Sequence, residues 1–140
     1  MKKGLTFFIS MILLVSAGCG DKVALSGKVT YSDGGSPLSV GTVCFETDSF
    51  VNRGQLTSAG TYNTGSISEK DGILPGTYRV YISGAMREIG VDKNGIPIYE
   101  SLIDEKFANG ATSGLTVTVP TPSGKFDFQV DRYVPKPGKK

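Results

Sequence analysis

Apolar and polar residues alternate one by one along most of this chain, the pattern of strands with one buried face. Leu25, Val29 and Tyr31 share one side of a first run, with Ser26, Lys28 and Thr30 on the other. A second run, 41–47, puts Val43 and Phe45 together and turns Thr42, Cys44 and Glu46 away. A weaker third run covers 53–57, and a short fourth, 61–64, carries Tyr62. The clearest is 77–83, with Tyr78, Val80 and Ile82 facing in and Arg79, Tyr81 and Ser83 facing out. Leu115, Val117 and Val119 set the inner face of a sixth run at 113–119. Phe126, Phe128 and Val130 do the same for a seventh at 125–131. Turn residues divide the runs, as in Ser32-Asp33-Gly34-Gly35-Ser36-Pro37 and Leu74-Pro75-Gly76. Seven short antiparallel strands, each half apolar, call for two facing sheets. The expected fold is all-β, a seven-stranded Greek-key β-sandwich over residues 24–134, with a small barrel as the alternative.

Residues 85–112 form one long connection. They are expected to hold a hairpin, 88–91 with 96–99, around a tight Asn94-Gly95 turn. A connection of this length in a compact domain is usually functional or disordered. Ile96, Pro97, Ile98 and Tyr99 argue against disorder and are the candidate partner contact. A lid folded onto the core is the other reading of the same residues. The tail 135–140, Pro135-Lys136-Pro137-Gly138-Lys139-Lys140, suits neither strand nor helix and is expected to be flexible and basic.

The first eighteen residues follow a different pattern. Lys2 and Lys3 precede a nearly continuous apolar run from Leu5 to Val15, and small residues follow at Ser16, Ala17 and Gly18. This is the layout of a cleaved export signal. The run is shorter than the roughly 20 residues a permanent membrane span needs. Val15-Ser16-Ala17-Gly18-Cys19 resembles the lipobox of bacterial lipoproteins, with Ser16 where Leu is usual. The resemblance implies a lipid on Cys19, a short tether over 19–23, and a domain held at a membrane of the bacterial cell envelope, inner or outer. Cys19, once lipidated, is unavailable for a disulfide, which leaves Cys44 as a lone, half-buried strand thiol.

Charge and composition narrow the function. The chain has 15 Lys+Arg and 13 Asp+Glu, and removing Lys2 and Lys3 leaves 13 against 13. No basic field remains to attract nucleic acid. The 19 glycines suit many tight turns. Histidine is absent, which removes the usual general base and a common metal ligand together. No Ser-His-Asp or Cys-His arrangement is possible, and no glycine loop has the spacing of a phosphate cradle. Glu100, Asp104 and Glu105 read as solvated loop charges rather than an acid/base pair. Asp92-Lys93-Asn94-Gly95 lacks the further oxygen ligands of a calcium loop. Neither catalysis nor a cofactor or metal is expected. A glycan- or small-ligand-binding domain is the alternative to an interaction module. Tyr81, Tyr99 and Tyr133 are the aromatic platforms left over for it.

Residues 25–31 (LSGKVTY), then Pro37-Leu38 and Gly41-Thr42-Val43-Cys44-Phe45, resemble the opening of the carboxypeptidase regulatory-like domains. Leu74-Pro75-Gly76-Thr77-Tyr78-Arg79-Val80 is similar to that family's turn before its strongest strand. Residues 102–119, followed by Phe126-Asp127-Phe128, resemble a lipoprotein branch of the same group. The resemblance implies a transthyretin-like, Ig-like sandwich and an accessory envelope role. One relative in that wider fold group, a hydroxyisourate hydrolase, depends on histidines. This chain has none, so that activity does not carry over.

Overall fold

The computed structural model describes residues 21–65 and 71–138. The expected signal segment and Cys19 lie outside the described residues. The described chain is all-β, with strands β1 (Ser26–Tyr31), β2 (Thr42–Glu46), β3 (Val51–Gln55), β4 (Thr61–Asn63), β5 (Gly76–Ser83), β6 (Met86–Val91), β7 (Pro97–Ser101), β8 (Leu115–Val119) and β9 (Phe128–Val130). One 3-10 turn, Glu105–Ala108, interrupts them.

The strands form three sheets, ordered β4-β1-β9, β3-β2-β5-β8 and β6-β7. The first two share one core. Val29, Tyr62 and Val130 from the smaller sheet meet Val43, Phe45, Val80 and Ile82 from the larger, all essentially without solvent contact. Phe45 lies at the centre, its ring 5.7 Å from Tyr62 and 6.4 Å from Tyr78. Tyr62 reaches over β1 within its own sheet, and its hydroxyl donates to the Phe126 carbonyl at 2.5 Å. That path needs a glycine at position 27, where a Cβ would collide with the Phe126 carbonyl and the Tyr62 hydroxyl.

Pairing fixes which way the strands run. β1 is antiparallel to β4, and β2 is antiparallel to both β3 and β5. An antiparallel bridge between Arg53 and Gly65 links the two sheets' directions. β1, β3, β5 and β9 therefore run one way, and β2, β4 and β8 return. The loops after β1, β3 and β5 gather at the end opposite Val23.

Four expectations need correction. The strands are not all antiparallel, because β1 and β9 pair parallel, Val29 with Phe128 through Tyr31 with Val130. The third strand is Val51–Gln55 rather than 53–57, since its register is set by β2, with Val51 opposite Glu46 and Gln55 opposite Thr42. The segment before the first strand is shorter than drawn, because Val23 already pairs with Ile73 through two backbone bonds of 2.8 Å. Cys44 is fully rather than half buried. It lies on the outer face of its sheet, beside its cross-strand neighbours Arg53 and Tyr81.

Candidate functional site

β5 ends at Ser83, and Gly84, with φ +70°, redirects the chain into β6. The hairpin that follows has buried feet and an exposed shaft. Ala85 and Ile103 are buried. The Leu102 N–H donates to the Ala85 carbonyl at 2.8 Å, joining the two feet. Ile103 pairs with Arg132 and the Tyr133 N–H donates to the Leu102 carbonyl, which ties the second foot to the chain after β9. Above the feet every residue of β6 is exposed. Ile96, Pro97, Ile98 and Tyr99 are exposed as well. They do not fold down as core cover, so the lid reading is wrong.

The register distributes apolar residues over both faces of the hairpin. Met86 faces Ser101, Glu88 faces Tyr99 and Val91 faces Pro97, which places Met86, Val91, Pro97 and Tyr99 on one side. A bulge between Glu88 and Gly90 sets Ile89 and Gly90 opposite Ile98 on the other. Gly90 has φ +152°, a conformation L side chains rarely adopt. Beside Ile98, Glu100 pairs with Arg87 at 2.7 Å. Ile89, Val91, Ile96 and Tyr99 are each more than half exposed. Isolated exposed hydrophobic residues are ordinary, but several grouped on one two-stranded ribbon make it the candidate site.

The tip is polar and rigidly built. The Asp92 carboxylate accepts the N–H groups of Asn94 (2.7 Å) and Ile96 (2.9 Å). The Gly95 N–H donates to the Asp92 carbonyl, and Gly95 has φ +79°. Among the described residues no non-glycine has positive φ, so Asn94 does not adopt the left-handed geometry of a two-residue Asn-Gly turn. The loop has three residues, Lys93-Asn94-Gly95, with glycine at the left-handed position. The expected tight turn is corrected accordingly.

A cleft of about 250 Å³ opens at the hairpin's base, lined by Arg87, Glu100, Leu102, Arg132, Tyr133 and Pro135 among others. The first residue of the expected free tail therefore forms part of a wall. Ion pairs surround it. The Arg132 guanidinium stacks 3.7 Å from the Tyr31 ring centroid, and its Nε lies 2.8 Å from Asp33. Lys106 and Asp131 pair at 2.6 Å, and Ser32 donates to the same carboxylate. The bond to Lys106 lowers the Asp131 carboxyl below its usual range, and Asp131 raises Lys106 in turn.

No family model, curated protein or solved structure matches this chain.

The acidic residues singled out in the sequence do separate jobs. Glu100 holds Arg87, Asp104 accepts the Lys106 N–H to start the 3-10 turn, and Glu105 is exposed on that turn. The three tyrosines are also separated. Tyr99 stands on the hairpin, Tyr133 lines the cleft, and Tyr81 lies on the outer face of the larger sheet. There the loop at Gly110 approaches so closely that a Cβ would meet the Tyr81 ring at 3.3 Å, which leaves little platform. Burial raises the Cys44 thiol above its ordinary range, the opposite of what an activated nucleophile requires. The cleft had no signal in the sequence, because residues 87, 100 and 132 meet only through the fold.

Proposed function

We propose that this chain is a lipid-anchored accessory domain of the bacterial cell envelope, without catalytic activity, that engages a partner protein through the 86–101 hairpin. The reading takes residues 1–18 as a cleaved signal, Cys19 as the lipid site, and the two-sheet body as a seven-stranded Greek-key sandwich of the transthyretin-like kind. The two sheets, β4-β1-β9 and β3-β2-β5-β8, together number the seven strands such a sandwich uses. One observation carries the functional part: apolar side chains stand exposed on both faces of a hairpin whose shaft is not covered by any other described element. Its tip, Asp92 and Lys93, is charged, which suits a groove in a protein better than the interior of a bilayer. The open strand edges offer backbone pairing as well.

The test is site-specific photo-crosslinking in living cells, with the reactive residue at position 98 or, as a control, at 116 on β8. A discrete adduct from 98 and none from 116 is expected. The double change Ile98→Asp with Tyr99→Ala should abolish that adduct while the melting temperature stays within a few degrees. Equal labelling at both positions would sink the proposal. The cleft beside Tyr133 and Arg132 supports a second reading, binding of a glycan or small ligand. Retention on a glycan array that survives the double change but not Tyr133→Ala would favour it.

A further inference from the structure

The end of the molecule opposite the hairpin carries a smaller apolar surface of its own. Val23 is where the chain joins the fold, through its paired bonds to Ile73. The turn beside it is held close, since a Cβ on Gly72, whose φ is +79°, would meet the Val23 carbonyl oxygen at 2.5 Å. Leu74 follows and is 38% exposed, and Phe50, from the turn between β2 and β3, is 41% exposed. Both residues meet the buried Tyr78, Leu74 through its backbone and Phe50 through its ring. Its hydroxyl donates to the Leu74 carbonyl at 2.7 Å, and its ring meets Phe50 edge-on at 6.1 Å between centroids. Phe50 and Leu74 thus flank one side chain at the end where the chain enters.

We infer that Phe50 and Leu74 rest on the lipid surface to which the chain is anchored. The inference builds on the lipid-anchor reading of Cys19. From Cys19 to Val23 the extended chain reaches at most about 14 Å. The polar headgroup layer is itself roughly 6 Å deep on each side of a bilayer. The end of the domain carrying Phe50 and Leu74 is therefore confined to the membrane's immediate neighbourhood. Exposed aromatic and aliphatic side chains held there lose unfavourable water contact by entering the interfacial zone. With two contacts beside the tether the domain stands upright. β5 then runs away from the membrane and delivers the hairpin at the far end.

The chain contains no Trp, so a single introduced Trp reports alone. Phe50→Trp, Leu74→Trp and, at the far end, Ile98→Trp are made in the lipidated mature chain. Each is reconstituted into vesicles of phosphatidylethanolamine and phosphatidylglycerol, with and without brominated acyl chains, and its melting curve confirms the fold. Bromolipid should cut the emission of the Trp at 50 and at 74 by about twofold and leave that at 98 unchanged. Position 74 serves if the variant at 50 does not fold. If the chain floats with the vesicles and neither Trp is quenched, the pair is only a cap on Tyr78; the inference falls and the anchor stands. Equal quenching at all three positions also overturns it. If the wild-type chain does not float at all, the anchor reading fails and the inference with it.

Discussion

Tyr62 shows how one residue ties the sheets together. It is 1% exposed, its ring packs on Phe45, and its hydroxyl serves the Phe126 carbonyl just before β9. Tyr62→Phe keeps the ring and leaves a part-buried carbonyl without its donor, so it should cost about 1–2 kcal/mol in denaturant unfolding. Burial raises its phenol well above the ordinary value of 10.0, and nearby Asp127 adds to the rise. Below about pH 10 folded and unfolded chains both keep the proton, and the full contribution stands. Above it the unfolded chain releases the proton first, so stability falls with rising pH, at a limiting slope of about 1.4 kcal/mol per pH unit for this group. Tyr62→Phe should remove that share of the alkaline slope; an unchanged slope would assign it to other tyrosines. The inward role of Tyr78, Phe45 and Val80 was legible from alternation alone, whereas the three-residue strand that carries Tyr62 is too short for alternation to give its facing. The need for Gly27 was not legible either, because a missing side chain leaves no hydrophobic mark.

At the level of elements, the sequence was most readable where both faces of a strand followed the rule. β5 reads Tyr78, Val80, Ile82 inward and is found so. β3 was misplaced by two residues because its buried positions are Asn52 and Gly54, which carry no apolar signal. Gly54 is buried for a steric reason, since a Cβ there would meet the Asn63 carbonyl oxygen at 2.6 Å. The hairpin was recognised from Asn94-Gly95 and its flanking apolar residues, but its exposure could not be, as apolar residues in a strand ordinarily report burial. Its separation from the core yields a direct prediction. The Ala85 carbonyl and Leu102 N–H already bond, so replacing 86–101 by a two-residue Asn-Gly turn should close the gap. The shortened chain should unfold within about 1 kcal/mol of wild type and lose partner capture. A large loss of stability would mean that the hairpin supports the body after all.

Across the whole molecule, one side of the core is sealed by β9 and the residues that follow it. β9 lies beside β1, and the residues after it bond to 102–104: Ile103 pairs with Arg132, and the Asp104 N–H donates to the Asp131 carbonyl. Phe128 is 8% exposed and stacks 5.3 Å from Phe126. Phe128→Ala should therefore cost about 3–5 kcal/mol by thermal or chemical unfolding, a large part of the stability of a domain this size. A near-wild-type melting temperature would show that β9 contributes little to the core. The parallel pairing was not visible in the strand pattern, because alternation reports which face is buried and is silent about neighbours. Its consequence lies in time rather than space. β1 is the first strand made and β9 the last, and Phe128 lies 99 positions further along the chain than its partner Val29. As the chain emerges from the ribosome, β1 waits for nearly everything that follows before its second edge is covered. Long-range closures of this kind slow folding, because the entropy of the intervening chain must be given up first. A nascent chain ending before residue 126 should show no cooperative melting and remain open to protease, so the body is set only once its final strand has been made.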